Sequence, residues 1–265
     1  MDTDLEFSFI IVNYKSARQL LACFSSLGNV TISGGYEILV ANNDAQETET
    51  LLALQQQFAF HLISIDGNRG FGYASNRAAE RARGRILVFL NPDARFLSGD
   101  FSLVSSAFGH GQSKVGVVGF RLLVEPEMPQ QWSAGAMVTF ADIVRNHIGM
   151  PKSASIWCAD APREVSWVSG AACAVSKECF FAMKGFDEGF FLYYEDVDFC
   201  VRVGKSDRKI LLFPSIRVLH VGGGSVGTDA FGQKRAYFIS QDRYFAKHRS
   251  TFEGRLLTFF RRMVR

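Results

Sequence analysis

This sequence predicts an α/β protein built on a doubly wound, mostly parallel sheet with helices on both faces, followed by a basic helical tail. Three observations carry that expectation. Short apolar runs of strand length recur through the first 120 residues, and helical patterns separate them at the spacing of strand–helix–strand units. The runs are apolar almost throughout instead of alternating, as strands covered on both faces are.

The predicted strands are Phe7–Val12, Glu37–Asn42, His61–Asp66, Arg85–Leu90 and Val115–Phe120. A first helix opens at Ser16, where Gln19 three residues on suggests a capping box, and runs through Leu20, Leu21 and Phe24. Further helices are expected over Glu47–Phe58 and Gly72–Ala82. Residues 121–163 hold Pro126, Pro129, Pro151 and Pro162 and read as loops and short strands. Beyond them a strand over Glu164–Gly170, a helix over Ser176–Lys184 and strands over Lys209–Phe213 and Arg217–Val221 are expected. This divides the chain into a domain over 1–228, with halves 1–120 and 121–228, and a tail over 229–265. Ligands of such sheets bind at the carboxyl ends of the strands.

Composition narrows the function classes. No run approaches the roughly 18 apolar residues of a membrane span, and the start Met-Asp-Thr-Asp lacks the pattern of a signal peptide. The five cysteines form no CxxC pair and have no histidines at zinc spacing, so they read as buried free thiols of a cytoplasmic protein. Twenty-five Phe residues imply an aromatic core or an apolar contact surface. The net charge of +3 is uneven: residues 229–265 hold nine Lys/Arg against three Asp/Glu, and the rest is mildly acidic. In the tail Phe252, Leu256, Phe259, Phe260 and Met263 recur at helical spacing, interleaved with Arg255, Arg261 and Arg262. A stripe of this kind suits either an interfacial helix on anionic lipid or a helix packed on the domain. No nucleic-acid-binding motif occurs.

Several short segments carry possible chemistry. Asn91-Pro-Asp93 follows an apolar strand; it reads as a turn, or as a carboxylate placed to hold a hard cation through oxygen. Glu195-Asp196-Val-Asp198 ends an aromatic stretch; it reads as an acidic helix start, or as a general base among crowded carboxylates. His220 precedes Gly222–Gly224 and reads as an ordinary histidine, or as a metal ligand beside a closing loop. Gly70-Phe-Gly72 matches only part of a dinucleotide fingerprint, and no phosphate loop ending in Gly-Lys-Ser/Thr is present.

Taken in order, five segments resemble inverting family 2 glycosyltransferases of the GT-A fold, in the branch of bacterial rhamnosyltransferases of cell-surface polysaccharide assembly. They are Phe9-Ile-Ile-Val-Asn-Tyr14, Val40-Ala-Asn-Asn-Asp44, Asn68-Arg-Gly-Phe-Gly-Tyr-Ala-Ser-Asn76, Leu90-Asn-Pro-Asp93, and the stretch from Trp167-Val-Ser-Gly-Ala through Gly185-Phe-Asp-Glu and Tyr194-Glu-Asp-Val-Asp-Phe-Cys-Val-Arg202 to His220. The resemblance implies roles. Val12, Asn13, Tyr14, Asn42, Asn43, Asp44, Asn68, Arg69, Asn76 and Asn91 would line the nucleotide pocket. Asp93, with His220, would hold Mg²⁺ or Mn²⁺ on the diphosphate. Asp196 would be the general base, with Glu195 and Asp198 as its acidic neighbours. Trp167, Gly170, Ala171 and Asp187 would shape the donor-sugar and acceptor pocket.

The resemblance further implies a nucleotide diphosphate sugar donor, with dTDP-rhamnose as first candidate. It implies a glycan or polyprenyl-diphosphate-linked acceptor and a place on the cytoplasmic face of the inner membrane. Two positions depart from the family pattern: Ala41 stands where Asp is frequent, and Asn91 replaces a carboxylate. They keep open a catalytically silent binding module. A nucleotidyltransferase needs a basic glycine-rich loop after the first strand, where this chain has Asn13-Tyr-Lys-Ser.

Overall fold

A computed structural model describes residues 5–109, 113–220 and 230–264. The amino-terminal half alternates as expected: β1 (Leu5–Asn13), α1 (Ala17–Ser25), β2 (Gly35–Asn42), α2 (Thr48–Leu54), β3 (His61–Ser64), α3 (Phe71–Ala79) and β4 (Ile86–Leu90). Next come β5 (Ala94–Ser98), α4 (Ser102–Phe108), β6 (Val115–Glu125), β7 (Met128–Pro129), β8 (Ala134–Gly135), α5 (Phe140–His147) and α6 (Ala154–Trp157). The remainder holds β9 (Arg163–Val165), β10 (Trp167–Val168), β11 (Ala172–Ser176), α7 (Lys177–Ala182), α8 (Glu195–Lys205), β12 (Lys209–His220), α9 (Ala230–His248) and α10 (Thr251–Met263).

The main sheet has the order β3-β2-β1-β4-β11-β6-β12-β5. Pairs β1–β2, β2–β3, β1–β4 and β6–β12 are parallel, whereas β11 runs antiparallel to both β4 and β6. The register sets Asn13 beside Asn42, so the polar residues that end β1 and β2 arrive together at one edge. Because β11 is reversed, its first residue, Ala172, pairs with Leu90 at that same edge. Residues 169–171 therefore lie next to the end of β4.

Each face of the sheet carries its own core. Phe7, Phe9 and Ile11 pack under α1, α2 and α4, while Ile10 and Val12 face α3, α7 and α8, as a period of two demands. The phenylalanines fill both layers. Phe101 meets Phe7 edge-on at 5.2 Å, and on the other face Phe89 meets Phe186 at 5.0 Å. Each such ring contributes about 1.5–3 kcal/mol of burial. A third cluster joins Phe190, Tyr194, Val197 and Val201 to Tyr244, Phe245 and Leu257, binding α9 and α10 to α8.

Several expectations are corrected. Ser16 forms no capping box; its hydroxyl turns to Asn13 Oδ1, and the Glu47 carboxylate accepts from the Ser16 amide at 2.9 Å instead. The expected strand Glu164–Gly170 is broken into β9, which pairs with β12, and β10, which pairs with β8. The two expected strands over 209–221 are one, β12, interrupted at Phe213–Arg217 where Pro214 has no amide to donate; Val221 lies outside the described residues. Residues 121–163, expected to lack helices, hold α5, capped reciprocally by Thr139 and Asp142. Four cysteines are buried free thiols, whereas Cys158 is exposed.

The tail stripe is also divided. Phe260 turns inward onto Phe140 and His147, and Leu257, outside the expected stripe, is the buried anchor. Phe252, Phe259 and Met263 remain outside, 63–70% exposed. Among the described residues no helix is long and apolar enough to cross a membrane.

Candidate active site

The edge formed by the ends of β1 and β2 is an amide network. Asn13 Nδ2 donates to Asn42 Oδ1 (3.0 Å) and to Glu47 Oε2 (2.9 Å), and Asn43 Nδ2 donates to the Gly70 carbonyl at 3.0 Å. Asn43 Oδ1 is buried with no hydrogen-bond partner among the described residues, so one acceptor at this edge is left over. Val12 is buried beneath it and Tyr14 is partly exposed. Asp44 Oδ1 accepts from the Gln46 amide and caps a short 3₁₀ turn.

The Asn68–Phe71 loop closes the edge. Asn68 Oδ1 accepts from the Gly70 amide (3.1 Å), and the Phe71 amide donates to the Phe191 carbonyl (3.1 Å). Gly70 sits at φ +87°, and a Cβ there would stand 2.2 Å from that carbonyl oxygen, so no other residue fits. Arg69 lies over the Tyr73 ring at 4.6 Å. Asn76 does something other than line this edge: it is a buried clamp that donates to the Phe186 carbonyl and Glu188 and accepts from the Phe186 amide.

At the end of β4 the Asn91 amide donates to the Ala171 carbonyl at 2.8 Å. His220, closing β12, brings Nε2 to 3.1 Å from Asn91 Nδ2 and 3.4 Å from Asp93 Oδ1. Its other ring nitrogen, Nδ1, lies 2.8 Å from Gln130 Oε1. With Nδ1–H donated to Gln130, the Nε2 lone pair faces Asn91 and Asp93, which is the tautomer a metal-binding imidazole needs. Among the described residues no group of three or more His, Cys, Asp or Glu side chains is placed to hold a metal ion. One carboxylate and one imidazole suit a divalent cation whose other ligands come from phosphate oxygens.

The acidic cluster resolves into three different environments. Tyr193 (φ +68°) and Tyr194 (φ +66°) are both left-handed, an uncommon arrangement for bulky residues that marks a tightly determined turn. It starts α8 so that Asp196 opens into the cleft. Asp196 Oδ2 accepts from the Gly170 amide (2.8 Å) and Oδ1 from the Val197 amide (2.8 Å). Burial raises its pKa above the ordinary aspartate range, against the lowering by those two amides. Glu195 is buried, with Oε2 unpartnered among the described residues, and burial together with the Asp196 charge pushes its pKa well up. Asp198 faces away, fully buried among Arg202 (2.8 Å), Lys247 (2.7 Å) and His248 (2.7 Å). Burial opposes its ionisation, but hydrogen bonds from Lys247 and His248 and the charge of Arg202 hold its pKa below the usual value, while burial lowers the pKa of His248. It is a tie between α8 and α9 and does not line the cleft.

A cleft of about 1620 Å³ opens over Asp196, and Asn91, His220, Trp167, Gly170 and Ala171 line it together with Glu195. Asp187 does not. It pairs with Arg243 (2.9 Å) and Lys247 (2.7 Å), whose hydrogen bonds overcome burial and hold it at about 2. Glycines 222–224 lie outside the described residues.

Three contributors escaped the reading of the sequence. Glu47 anchors both Asn13 and the start of α1. Gln130 orients His220. Gln241 donates to the Tyr194 hydroxyl (2.8 Å) just before the acidic pair. None belongs to a local motif, so only the fold brings them in.

Residues 8–152, more than half of the chain, match the family described as Glycosyl transferase family 2. The O-antigen biosynthesis protein RfbC of Myxococcus xanthus is 28% identical over 89% of this chain, which spans 19% of that protein. N-acetylglucosaminyl-diphospho-decaprenol L-rhamnosyltransferase of Mycobacterium tuberculosis is 26% identical over 89% of this chain and 84% of its own length. Rhamnosyltransferase WbbL of Escherichia coli is 25% identical over 82% and 81%. Among solved structures, GalNAc-T7 with UDP, GalNAc and Mn²⁺ superposes with a TM-score of 0.62 at 15% identity, covering 83% of this chain and 44% of that one. The mannosyltransferase PcManGT of Pyrobaculum calidifontis, with GDP-Man and Mn²⁺, gives 0.58 at 15% identity over 93% and 67%. The fold is thus that of known glycosyltransferases, and the chain belongs to glycosyl transferase family 2.

Proposed function

We propose that the protein is an inverting glycosyltransferase that moves a sugar, with L-rhamnose from dTDP-rhamnose as first candidate, onto a hydroxyl of a polyprenyl-diphosphate-linked glycan in cell-surface polysaccharide assembly. One observation carries the reading: Asp196, its carboxylate aimed by two backbone amides, opens into the same cleft as Asn91 and His220 at the carboxyl edge of the sheet. In this reading Asn13, Asn42 and Asn43 meet the nucleotide, and Asp93 and His220 face its diphosphate. Asp196 takes the proton of the acceptor hydroxyl as the oxygen attacks the anomeric carbon from the side opposite the diphosphate. The carbon–oxygen bond to the diphosphate breaks with its electron pair, so the configuration inverts. Asp93 and His220 would hold a divalent cation, which would supply charge neutralisation for the departing diphosphate.

The sugar and acceptor rest on the relatives of Mycobacterium tuberculosis and Escherichia coli, whose names carry rhamnosyl transfer and, in the former, a decaprenyl diphosphate. Such an acceptor stays in the bilayer, which fits work on the cytoplasmic face of the inner membrane with the outward face of α10 against anionic lipid. The test is a panel of nucleotide sugars offered with Mg²⁺ or Mn²⁺, with and without polyprenyl-diphosphate-linked N-acetylglucosamine, scored by released nucleoside diphosphate and by mass of the product. Release from one donor, stimulated by the acceptor, is expected. A protein that binds a nucleotide sugar yet releases nothing under any combination is a binding module.

A further inference from the structure

The cleft is larger than a single transfer centre requires. Its roughly 1620 Å³ exceeds the ~300–1,000 Å³ typical of a drug-sized ligand, and Asn13, Asn42 and Asn43 do not line it. The additional room is walled by α5, α9 and the end of α10. On α9 two cations, Lys234 and Arg235, line the cleft and are exposed. Among the described residues neither makes an ion pair. Arg243 and Lys247 are engaged by Asp187 and Arg261 by Asp242, and Arg255 and Arg262 do not line the cleft. The same stretch of wall is apolar, with Phe238 and Ile239 from α9, Ile143 from α5 and Val264 after α10. Lys234 and Ile239 are five residues apart, about 8 Å along a helix axis.

Positive charge that has no ion pair among the described residues, set beside hydrocarbon, suits one kind of molecule, an anion joined directly to an apolar chain. The wall is also continuous with both ends of such a path. Tyr237, one turn from Lys234, brings its hydroxyl to 3.4 Å from that of Tyr194 at the head of α8. Arg261 lies over the Phe238 ring at 4.9 Å, which carries the wall to the end of α10, where Phe259 and Met263 are exposed. We propose that this wall seats the diphosphate and first isoprene units of a lipid-linked acceptor, with Lys234 and Arg235 on the diphosphate and Ile143, Phe238, Ile239 and Val264 along the chain. The acceptor's role as such rests on the transferase reading of Asp196.

Trp132 and Trp167 line the cleft, so intrinsic fluorescence reports its occupation. The full chain is titrated with farnesyl diphosphate, farnesol, inorganic diphosphate, and dTDP with Mn²⁺. Saturable quenching by farnesyl diphosphate is expected, with farnesol and inorganic diphosphate at least tenfold weaker. K234E/R235E, and the milder K234A/R235A in case the reversal disturbs folding, should weaken farnesyl diphosphate at least tenfold and leave dTDP within twofold. Inorganic diphosphate binding as tightly as farnesyl diphosphate would reduce the wall to a simple anion site. An equal loss of dTDP affinity would make the two cations donor contacts, and unchanged farnesyl diphosphate affinity would remove them altogether. Charge-dependent farnesyl diphosphate binding without nucleoside diphosphate release from any donor would keep the wall and overturn the transferase. Release without such binding would do the reverse.

Discussion

The Gly170 amide donates to Asp196 Oδ2 at 2.8 Å, so backbone from the turn before β11 aims a carboxylate on α8. Two residues on, Asp198 is turned the opposite way, into Arg202, Lys247 and His248. The two aspartates should therefore fail differently. Asp196→Asn is expected to lower kcat by about 10² or more, in the range of general-base loss, with dTDP affinity and urea midpoint nearly unchanged. Asp198→Asn should destabilise the fold by about 3 kcal/mol, because it removes the buried carboxylate on which Arg202, Lys247 and His248 converge. Steady-state kinetics and urea unfolding of both variants check the split, and near-normal turnover of Asp196→Asn would remove it as base.

The acid limb of kcat/KM reports the base. Burial raises the Asp196 pKa, so the base form is lost on acidification earlier than for an ordinary aspartate. A midpoint above about 3.9, the unperturbed value, is expected, with activity falling as pH drops through it. A limb at or below that value would argue against Asp196.

Stability should follow a different acid profile. Asp187 is held at about 2 and Asp198 is also lowered, in both cases by cationic partners that overcome burial. Groups whose pKa is depressed by folding stabilise the protein above their unfolded value and lose that contribution as pH falls. The urea midpoint should decline between about pH 4 and pH 2, and Asp187→Asn should flatten part of that decline.

Transfer should require Mg²⁺ or Mn²⁺ and stop in excess chelator. Asp93→Ala should abolish metal-dependent tightening of dTDP binding, and His220→Ala should weaken it less. Gln130→Ala touches no phosphate in the proposed arrangement, yet by releasing His220 it should cost about tenfold in metal affinity. Calorimetric titration of dTDP with and without Mn²⁺ reads all three, and full turnover in chelator would defeat the metal assignment.

Membrane attachment should depend on the outward face of α10. Phe252, Arg255, Phe259, Arg262 and Met263 share that face and are exposed. Each basic residue near anionic lipid contributes about 1 kcal/mol. Arg255→Glu/Arg262→Glu should abolish sedimentation with anionic liposomes at low salt, and Phe259→Ser should weaken it. Wild type left in the supernatant at low salt would rule this face out.

The amino-terminal half was legible because its signals are local. Continuous apolar runs marked β1 to β4, and each short polar segment after them reached the sheet edge by topology alone. Later elements were less so. β11 is a small-residue strand, Ala172-Cys-Ala-Val-Ser176, without the bulk that signals a strand. Pro214 made one strand look like two. In the site, the resemblance pointed to Asp196, which lines the cleft, but its separation from Asp198 was not legible, since it depends on where Lys247 and His248 arrive from α9. Asp187 and Asn76 were expected in the pocket and instead brace the loop behind it, because Arg243 and the Phe186 backbone claim their polar atoms.

The knot of Arg202, Lys247 and His248 at Asp198 alters what kind of part the C-terminal segment is. A cut ahead of α9 would leave Asp198 with Arg202 alone, take Arg243 and Lys247 from Asp187, and strip Tyr244 and Phe245 from the layer that supports α8. The segment is a buttress first and a handle second. Grafting a relative's terminus onto this chain would succeed only if the graft brought matching cations for both aspartates. A sideways load on α9 would likewise be borne by the helix from which Asp196 projects.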